Sequence, residues 1–312
     1  MTKKRRQERI AISRFTLPLT VLYGVVVALL AGPFQHGLWV QTVALFVATE
    51  MMVILSNRHS LIRMYSRMVP VVYLFLSAML CFRSTTVANT VVGLCFIAFY
   101  MFFFEAYQDR KAAGFVFYAF VMIGIASVFF VQILYLVPVL WVIMIAYILA
   151  FSLRTFVASI LGLLFPYWFV IGYDAYTNQL PDLLSHFLKL TDIGNVCHYQ
   201  YTEHQAVGFV FISLIGLTGI IHFLRNSYQD KIKTRMLYGC FVTMQVATMI
   251  FIILQPQHYP FLIHILIIST AALLGHFLAL THTWLTNVAF HVLIALVLLL
   301  TAYNLWIPSL IF

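Results

Sequence analysis

Imidazole, carboxylate and phenol side chains concentrate in one polar stretch of this apolar chain, between residues 174 and 206. Asp174 opens the stretch, and His198, Glu203 and His204 follow near its end. Imidazole and carboxylate are zinc ligands, and a carboxylate beside aromatic rings also suits sugar chemistry. We take these four residues as catalytic candidates. Their spacing matches no known metal motif, so a solvated loop is the alternative interpretation.

A second chemical feature is Glu50, an acidic residue inside an apolar run rather than at its end. Counted along a helix, it lies about 10 Å from the nearer end of that run. A carboxyl group at such a depth is costly unless it faces a bundle interior, is protonated or pairs with a cation. Glu50 is therefore either a proton or ion site, or a structural partner of a basic residue such as Arg58.

A third feature is the basic series Arg58, Arg63 and Arg67 between two apolar runs. Guanidinium groups at a membrane surface bind phosphate, either of lipid headgroups or of a substrate. They also fix the orientation of a membrane protein, and that role alone would explain them. The cluster from Arg225 to Arg235 has the same two interpretations.

The composition indicates which elements must position these residues. The chain is 63% hydrophobic and only 9% charged, with a mean hydropathy of +0.99, whereas soluble domains carry roughly 25% charged residues. We predict an all-α, polytopic membrane bundle: a basic cytoplasmic tail over 1–14, then one integral membrane domain over 15–312. The net charge of +9 comes from residues at the ends of apolar runs, so the predicted partners are membrane lipids and not nucleic acid.

Apolar runs of about twenty residues predict eleven membrane spans. These are residues 15–34, 37–57, 69–82, 87–105, 114–131, 136–153, 156–173, 207–225, 236–255, 261–280 and 285–306. The run 69–82 is short for a crossing. The uncharged stretch 112–153 is too long for one helix, and Gln132 with Pro138 predicts a turn within it.

The basic residues test this assignment of spans, because a wrong count would scatter them over both faces. Sixteen of the eighteen Lys and Arg residues fall on alternate gaps, and only Arg83 and Lys189 fall on the others. This places the N-terminus inside, the C-terminus outside and the loop 174–206 outside. Leucine and phenylalanine spacing over 180–190 predicts a short amphipathic helix in that loop.

No residue pattern indicates a cofactor or a metal. The four cysteines contain no C-x-x-C pair, and the histidines inside runs (His222, His264, His276 and His291) are interpreted as hydrogen-bonding across helices. The aromatic series from Phe96 to Phe104 is interpreted as lipid-facing.

Several segments together resemble an uncharacterised family of bacterial polytopic inner-membrane proteins, classed as a domain of unknown function. The segments are 57–63, 66–70, 114–130, 152–167 and 275–277. The resemblance covers most of the chain and implies a multi-pass protein of the bacterial inner (cytoplasmic) membrane. It implies no reaction, and no catalytic residue is carried over from it.

Three functions follow as hypotheses. The first is envelope assembly on a lipid-linked (polyprenyl) sugar, favoured by inner basic clusters and an outer polar loop. The second is a transporter or permease subunit, motivated by Glu50 and by the interruptions at Pro18 and Pro166. The absence of an internal repeat counts against it. The third is a membrane scaffold that works with other membrane subunits.

Overall fold

A computed structural model describes residues 6–32, 38–80, 86–177, 185–191, 202–281 and 283–306. Within these ranges the chain is helical and contains no strand. The fold class predicted from composition is therefore all-α, as expected. His198, Cys81 and Cys197 lie outside the described residues.

The helices follow the apolar runs of the sequence. Their bounds are α1 Arg6–Ile12, α2 Thr16–Leu30, α3 Trp39–Arg58, α4 Met68–Leu80, α5 Val87–Phe103, α6 Ala113–Phe129, α7 Val137–Ile143, α8 Leu153–Thr177, α9 Glu203–Asn226, α10 Ile232–Leu254, α11 Tyr259–Leu280 and α12 Trp284–Trp306. Within the described ranges, eight helical segments are long and apolar enough to cross a membrane, and three apolar helices, α2, α4 and α6, are shorter.

The predicted turn in the long uncharged stretch is confirmed. Phe130 has an extended backbone (φ −145°, ψ 91°), which ends α6, and a 3₁₀ segment, Val131–Leu136, leads into α7. Pro138 lies in the first turn of α7, where its missing N–H costs no helical hydrogen bond. α7 continues as a π-helical segment, Met144–Ile148, which Leu149 ends in a left-handed conformation (φ 58°).

The described chain forms two compact units. The first unit comprises Met1–Val87, Tyr201–Gln245 and Leu266–Phe312, and the second comprises Ala88–Gln200 and Val246–Ile265. In the first unit, α4 packs against α2, α3 and α12, and most of its side chains are buried.

Two glycines let α6 and α8 approach closely in the second unit. A Cβ at Gly162 would lie 2.6 Å from the Phe117 carbonyl oxygen, and one at Gly124 would lie 2.7 Å from the Leu163 carbonyl oxygen. Small residues at such positions are typical of helix contacts in membranes, where van der Waals packing replaces the hydrophobic driving force.

The aromatic series in α5 corrects a prediction. Phe96, Phe99 and Phe103 have no solvent exposure, so they are core residues and do not face lipid. Phe99 stacks on Phe103 with ring centroids 4.7 Å apart, and Phe120 of α6 meets Phe99 edge-on at 5.9 Å. Phenylalanine suits the core and the lipid surface equally, which is why its type alone did not locate these rings.

The amphipathic helix predicted over 180–190 lies partly outside the described residues. In the described part, residues 185–188 are helical. His186 Nε2 lies 3.0 Å from the Ser127 carbonyl oxygen of α6, so this segment is tied to the second unit.

Candidate functional site

A buried aspartate–histidine pair lies at one end of the first unit. Asp230 follows the 3₁₀ turn Ser227–Gln229 after α9, and His276 projects from α11. His276 Nε2 is 2.9 Å from Asp230 Oδ2, and the two side chains are 1% and 2% exposed. A carboxylate so removed from water needs a partner that donates to it, and the imidazole N–H supplies that hydrogen bond.

Aromatic rings hold the imidazole of His276 in place. The Tyr238 ring meets it edge-on at a centroid distance of 4.7 Å, and the Phe223 ring does so at 5.6 Å. Tyr238 and Phe223 themselves stack at 5.2 Å. The pair is therefore fixed in orientation by packing from α9 and α10, as a catalytic or ligand-binding histidine requires.

The hydrogen bond to Asp230 decides the role of the other ring nitrogen. Because the carboxylate accepts the Nε2 proton, Nδ1 of a neutral His276 carries a lone pair. Nδ1 is buried and has no hydrogen-bond partner among the described residues; the same holds for Nδ1 of His222. The two rings are 5.8 Å apart. Two buried ring nitrogens without hydrogen-bond partners leave polar groups that a bound molecule can satisfy.

A cavity of about 320 Å³ adjoins the pair. Its lining residues come from the loop after α3, from α9 and the turn after it, and from the corner between α11 and α12. They are Arg63, His222, Asn226, Gln229, Asp230, His276, Phe277, Leu280, Thr281, Thr283 and Thr286. The cavity thus combines a guanidinium, two imidazoles, a carboxylate and several hydroxyl and amide groups.

Arg63 is the cationic group of this cavity and is exposed. Its Nη2 donates to Gln229 Oε1 at 3.1 Å, and its Nη1 lies 3.4 Å from the Gln229 carbonyl oxygen. These neutral, exposed acceptors are weak competitors for a guanidinium, so a phosphate or carboxylate could replace them with a bidentate pair.

The N-terminal helix α1 is tied to the wall of the same cavity. Gln7 is 1% exposed, and its side-chain amide donates to the Leu278 carbonyl at 2.8 Å and to Thr281 Oγ1 at 3.0 Å. Its backbone N–H donates to Asn287 Oδ1 at 3.1 Å. These bonds join residues more than 270 positions apart and position the corner between α11 and α12.

Of the three predicted phosphate-binding residues, the structure brings only Arg63 to the cavity. Arg58 ends α3, and Arg67 lies with its guanidinium 5.9 Å from the centre of the Tyr65 ring. Neither lines the cavity.

Three of the four outer-loop candidates, Asp174, Glu203 and His204, lie in the described part of the chain, and none of them lines the cavity. Asp174 lies in the last turn of α8 and belongs to the second unit. Glu203 is exposed at the first turn of α9, where a carboxylate suits the helix dipole and Thr202 forms a capping box with Gln205. His204 packs against Tyr303 at a centroid distance of 4.6 Å.

Sequence reasoning missed the Asp230–His276 pair. His276 stood among four intramembrane histidines with no sign of what each faced, and Asp230 had the ordinary appearance of a loop acid. The two are 46 positions apart, and no local motif joins them. One sequence feature could have suggested the pair: both residues lie in or next to gaps between apolar runs that are assigned to the same, basic side of the membrane.

No group of three metal-ligating side chains occurs among the residues that the structure describes. Comparison of the chain with family models, with curated protein sequences and with solved structures found no match. The function is therefore argued from the geometry of the cavity alone.

Proposed function

We propose that the chain is a multi-pass enzyme of a bacterial inner membrane that acts on the phosphate-bearing headgroup of a lipid-linked sugar in envelope assembly. The observation that carries this proposal is the buried Asp230–His276 pair, which lines the same cavity as the Arg63 guanidinium. A fixed histidine with a buried carboxylate can act as a general acid or base, and an exposed guanidinium held only by neutral acceptors is a phosphate ligand.

In the proposed reaction, Arg63 leaves Gln229 and pairs with the substrate phosphate. His276 Nδ1 takes the proton of an acceptor hydroxyl group as its oxygen bonds to the substrate phosphorus, the bond from phosphorus to the leaving oxygen breaks, and the imidazolium, stabilised by Asp230, returns the proton to that leaving oxygen. Thr281, Thr283 and Asn226 orient the sugar through hydrogen bonds. Each of these roles uses a group that lines the cavity.

The proposal includes eleven membrane spans with the N-terminus inside and the C-terminus outside. The eight long helices and the three shorter apolar ones together give that number. The cavity supports the alternation of faces, because its lining residues lie in gaps assigned to the inner face or within a few residues of them. Arg63 contacts Gln229, Asp230 contacts His276, and Gln7 of the tail contacts Thr281. A reporter fused after Phe312 that reads cytoplasmic would contradict this topology.

The direct test compares lipid-linked glycans in wild-type cells, in a deletion strain and in the deletion strain that carries the gene on a plasmid. We expect one lipid-linked intermediate to accumulate in the deletion strain and to disappear on complementation. Solute uptake is measured in the same strains. An unchanged glycan profile with altered uptake would contradict the enzyme and favour a transporter.

The transporter hypothesis gains no specific observation from the fold. It was motivated by Glu50, which is exposed on α3 and does not line the cavity beside His276. The position of Glu50 is relevant instead to the third hypothesis, in which the chain works with other membrane subunits.

A further inference from the structure

Glu50 lies deep within a membrane-length helix and does not line the candidate site. It is eight residues before Arg58, the last residue of α3, which corresponds to about 12 Å along the helix axis. Among the Asp, Glu, Lys and Arg residues of the described membrane-length helices, it is the one more than six positions from both helix ends. A glutamate side chain is too short to reach either membrane surface from there.

The carboxyl group of Glu50 points away from its own chain. α3 buries Leu45, Ala48, Met52 and Leu55 against the bundle, whereas Glu50 is exposed. Glu50 forms no hydrogen bond or ion pair with any residue in the described ranges. The carboxyl group therefore lacks the internal partner that would offset its burial in hydrocarbon.

Glu50 lies at the centre of a continuous exposed face of α3. The face consists of Trp39, Val43, Val47, Glu50, Ile54 and Asn57. Successive members are four or three residues apart, as residues on one side of an α-helix must be. Its four apolar members are between 47% and 59% exposed. The α3 face is thus a strip as long as the membrane is thick, apolar except for one acid in its interior and one amide near its end.

An apolar strip alone needs no partner, because lipid covers it. On the exposed face of α12, Leu285, Val292 and Leu299 are 50% to 70% exposed and no Asp, Glu, Lys or Arg lies beside them, while Nδ1 of the exposed His291 lies 2.6 Å from the Asn287 carbonyl oxygen of the same helix. The α3 face differs by a carboxyl group that lipid cannot solvate. Helices associate in membranes through such polar groups, since the hydrogen bond or ion pair that they form has no water to compete with it.

We propose that the α3 face is the docking surface for a transmembrane helix of another protein, which places a lysine or arginine at the depth of Glu50. Charge complementarity selects this occupant over a second copy of the chain. The basic residues of the described membrane-length helices all lie within four positions of a helix end, so a second copy offers no cation at this depth. A two-fold dimer through α3 would also bring two Glu50 carboxyls together, and like charges repel.

This surface extends the function beyond the cavity. A partner held at α3 would make the chain one subunit of a membrane complex, with the Asp230–His276 site contributed by this subunit. The docking surface and the cavity are separate features, so either can hold if the other fails.

The test places a photo-crosslinking amino acid at Val47, next to Glu50 on the α3 face, in the full chain expressed in its native cells. The matched control carries the same amino acid at Val292, which is exposed on α12. We expect irradiation to give one discrete protein adduct from position 47 and none from position 292. Mass spectrometry of the adduct then identifies the partner, whose crosslinked helix should carry a lysine or arginine near mid-membrane.

Substitution of Glu50 tests the ion pair itself. Glu50→Leu should lower the adduct yield from position 47 by about fivefold to thirtyfold, the range for the loss of a polar contact between membrane helices. Ile54→Leu on the same face should leave the yield unchanged. Glu50→Lys should abolish the adduct, and replacing the partner's cation with glutamate should restore it.

Three results would overturn the proposal: an adduct of two copies of this chain, lipid adducts alone, or a partner whose crosslinked helix lacks a basic residue. A yield that Glu50→Leu leaves intact would overturn it as well. The photo-crosslinker at Val47 in an otherwise unchanged chain keeps the test valid even if a Glu50 variant folds poorly.

Discussion

The cavity of the first unit and the α5–α6–α8 core of the second unit differ in the kind of side chain that they bury. The core packs apolar rings and glycines, whereas the surroundings of the cavity contain buried polar groups. In the core, phenylalanine rings stack on one another and glycines bring α6 and α8 into close contact. Around the cavity, Asp230, His276 and Tyr238 are buried, and the buried atoms Nδ1 of His276, Nδ1 of His222 and Oη of Tyr238 lack hydrogen-bond partners in the described chain. Apolar packing stabilises a fold, whereas unmet polar demand costs stability and persists where a ligand meets it.

This comparison predicts that variants of the cavity change activity and spare stability, and that variants of the aromatic core do the reverse. The largest effect is expected at His276. His276→Gln keeps the size and a hydrogen bond to Asp230 but removes the proton acceptor, so turnover of the lipid-linked intermediate should fall by about 10²- to 10⁴-fold. His291→Gln, an exposed histidine of α12, is the matched control and should retain wild-type turnover.

The next effect concerns the cation of the cavity. Arg63→Gln should reduce turnover by about tenfold to a hundredfold, because it removes a charged hydrogen bond to phosphate. Arg225 is also exposed and lies on the same predicted side of the membrane, but it does not line the cavity. Arg225→Gln should therefore leave turnover unchanged. Equal losses in both variants would mean that basic charge at the surface, and not the cavity, determines turnover.

In the second unit the effect should appear in stability. Gly162→Ala places a methyl group against the Phe117 carbonyl, so α6 and α8 must separate, and the free energy of unfolding should fall by about 1–3 kcal/mol. Thermal unfolding in detergent measures this. Gly172→Ala is the control, since a Cβ there has no neighbour within 4 Å and α8 is the same helix.

The smallest effect is expected from one aromatic ring. Phe103→Leu removes the stack with Phe99 at nearly constant volume and should lower the free energy of unfolding by about 1 kcal/mol. Phe115→Leu, at a ring that is 44% exposed, should change it little. If Phe103→Leu instead reduced turnover without affecting stability, the division between the two regions would be wrong.

The sequence predicted the helices well and the site poorly, for physical reasons. A membrane helix is determined by its own twenty residues, so apolar runs and the break before Pro138 could be read locally. The Asp230–His276 pair forms only when α11 packs beside the turn after α9. Local patterns in a single sequence do not predict which helices pack against each other. Arg63 was identified by its type and gap, but nothing local distinguished it from Arg58 and Arg67.

Glu50 is a second residue whose environment could be predicted from the sequence only in part. Its depth was predictable from its place in the run, but the direction in which it points depends on how α3 packs against α4. In the structure Glu50 is exposed on α3. The proposed acid–base residue is instead His276, which no local sequence pattern favoured.

The central claim is that Asp230 and His276 act as one catalytic unit, and a double-variant comparison tests it most directly. Turnover of the lipid-linked intermediate is measured in complemented deletion strains with Asp230→Asn, with His276→Gln and with both, at equal protein levels in the membrane. If the pair acts as one unit, the double variant should be no slower than His276→Gln alone. Wild-type turnover in the Asp230→Asn strain, or losses that simply multiply in the double variant, would contradict the claim.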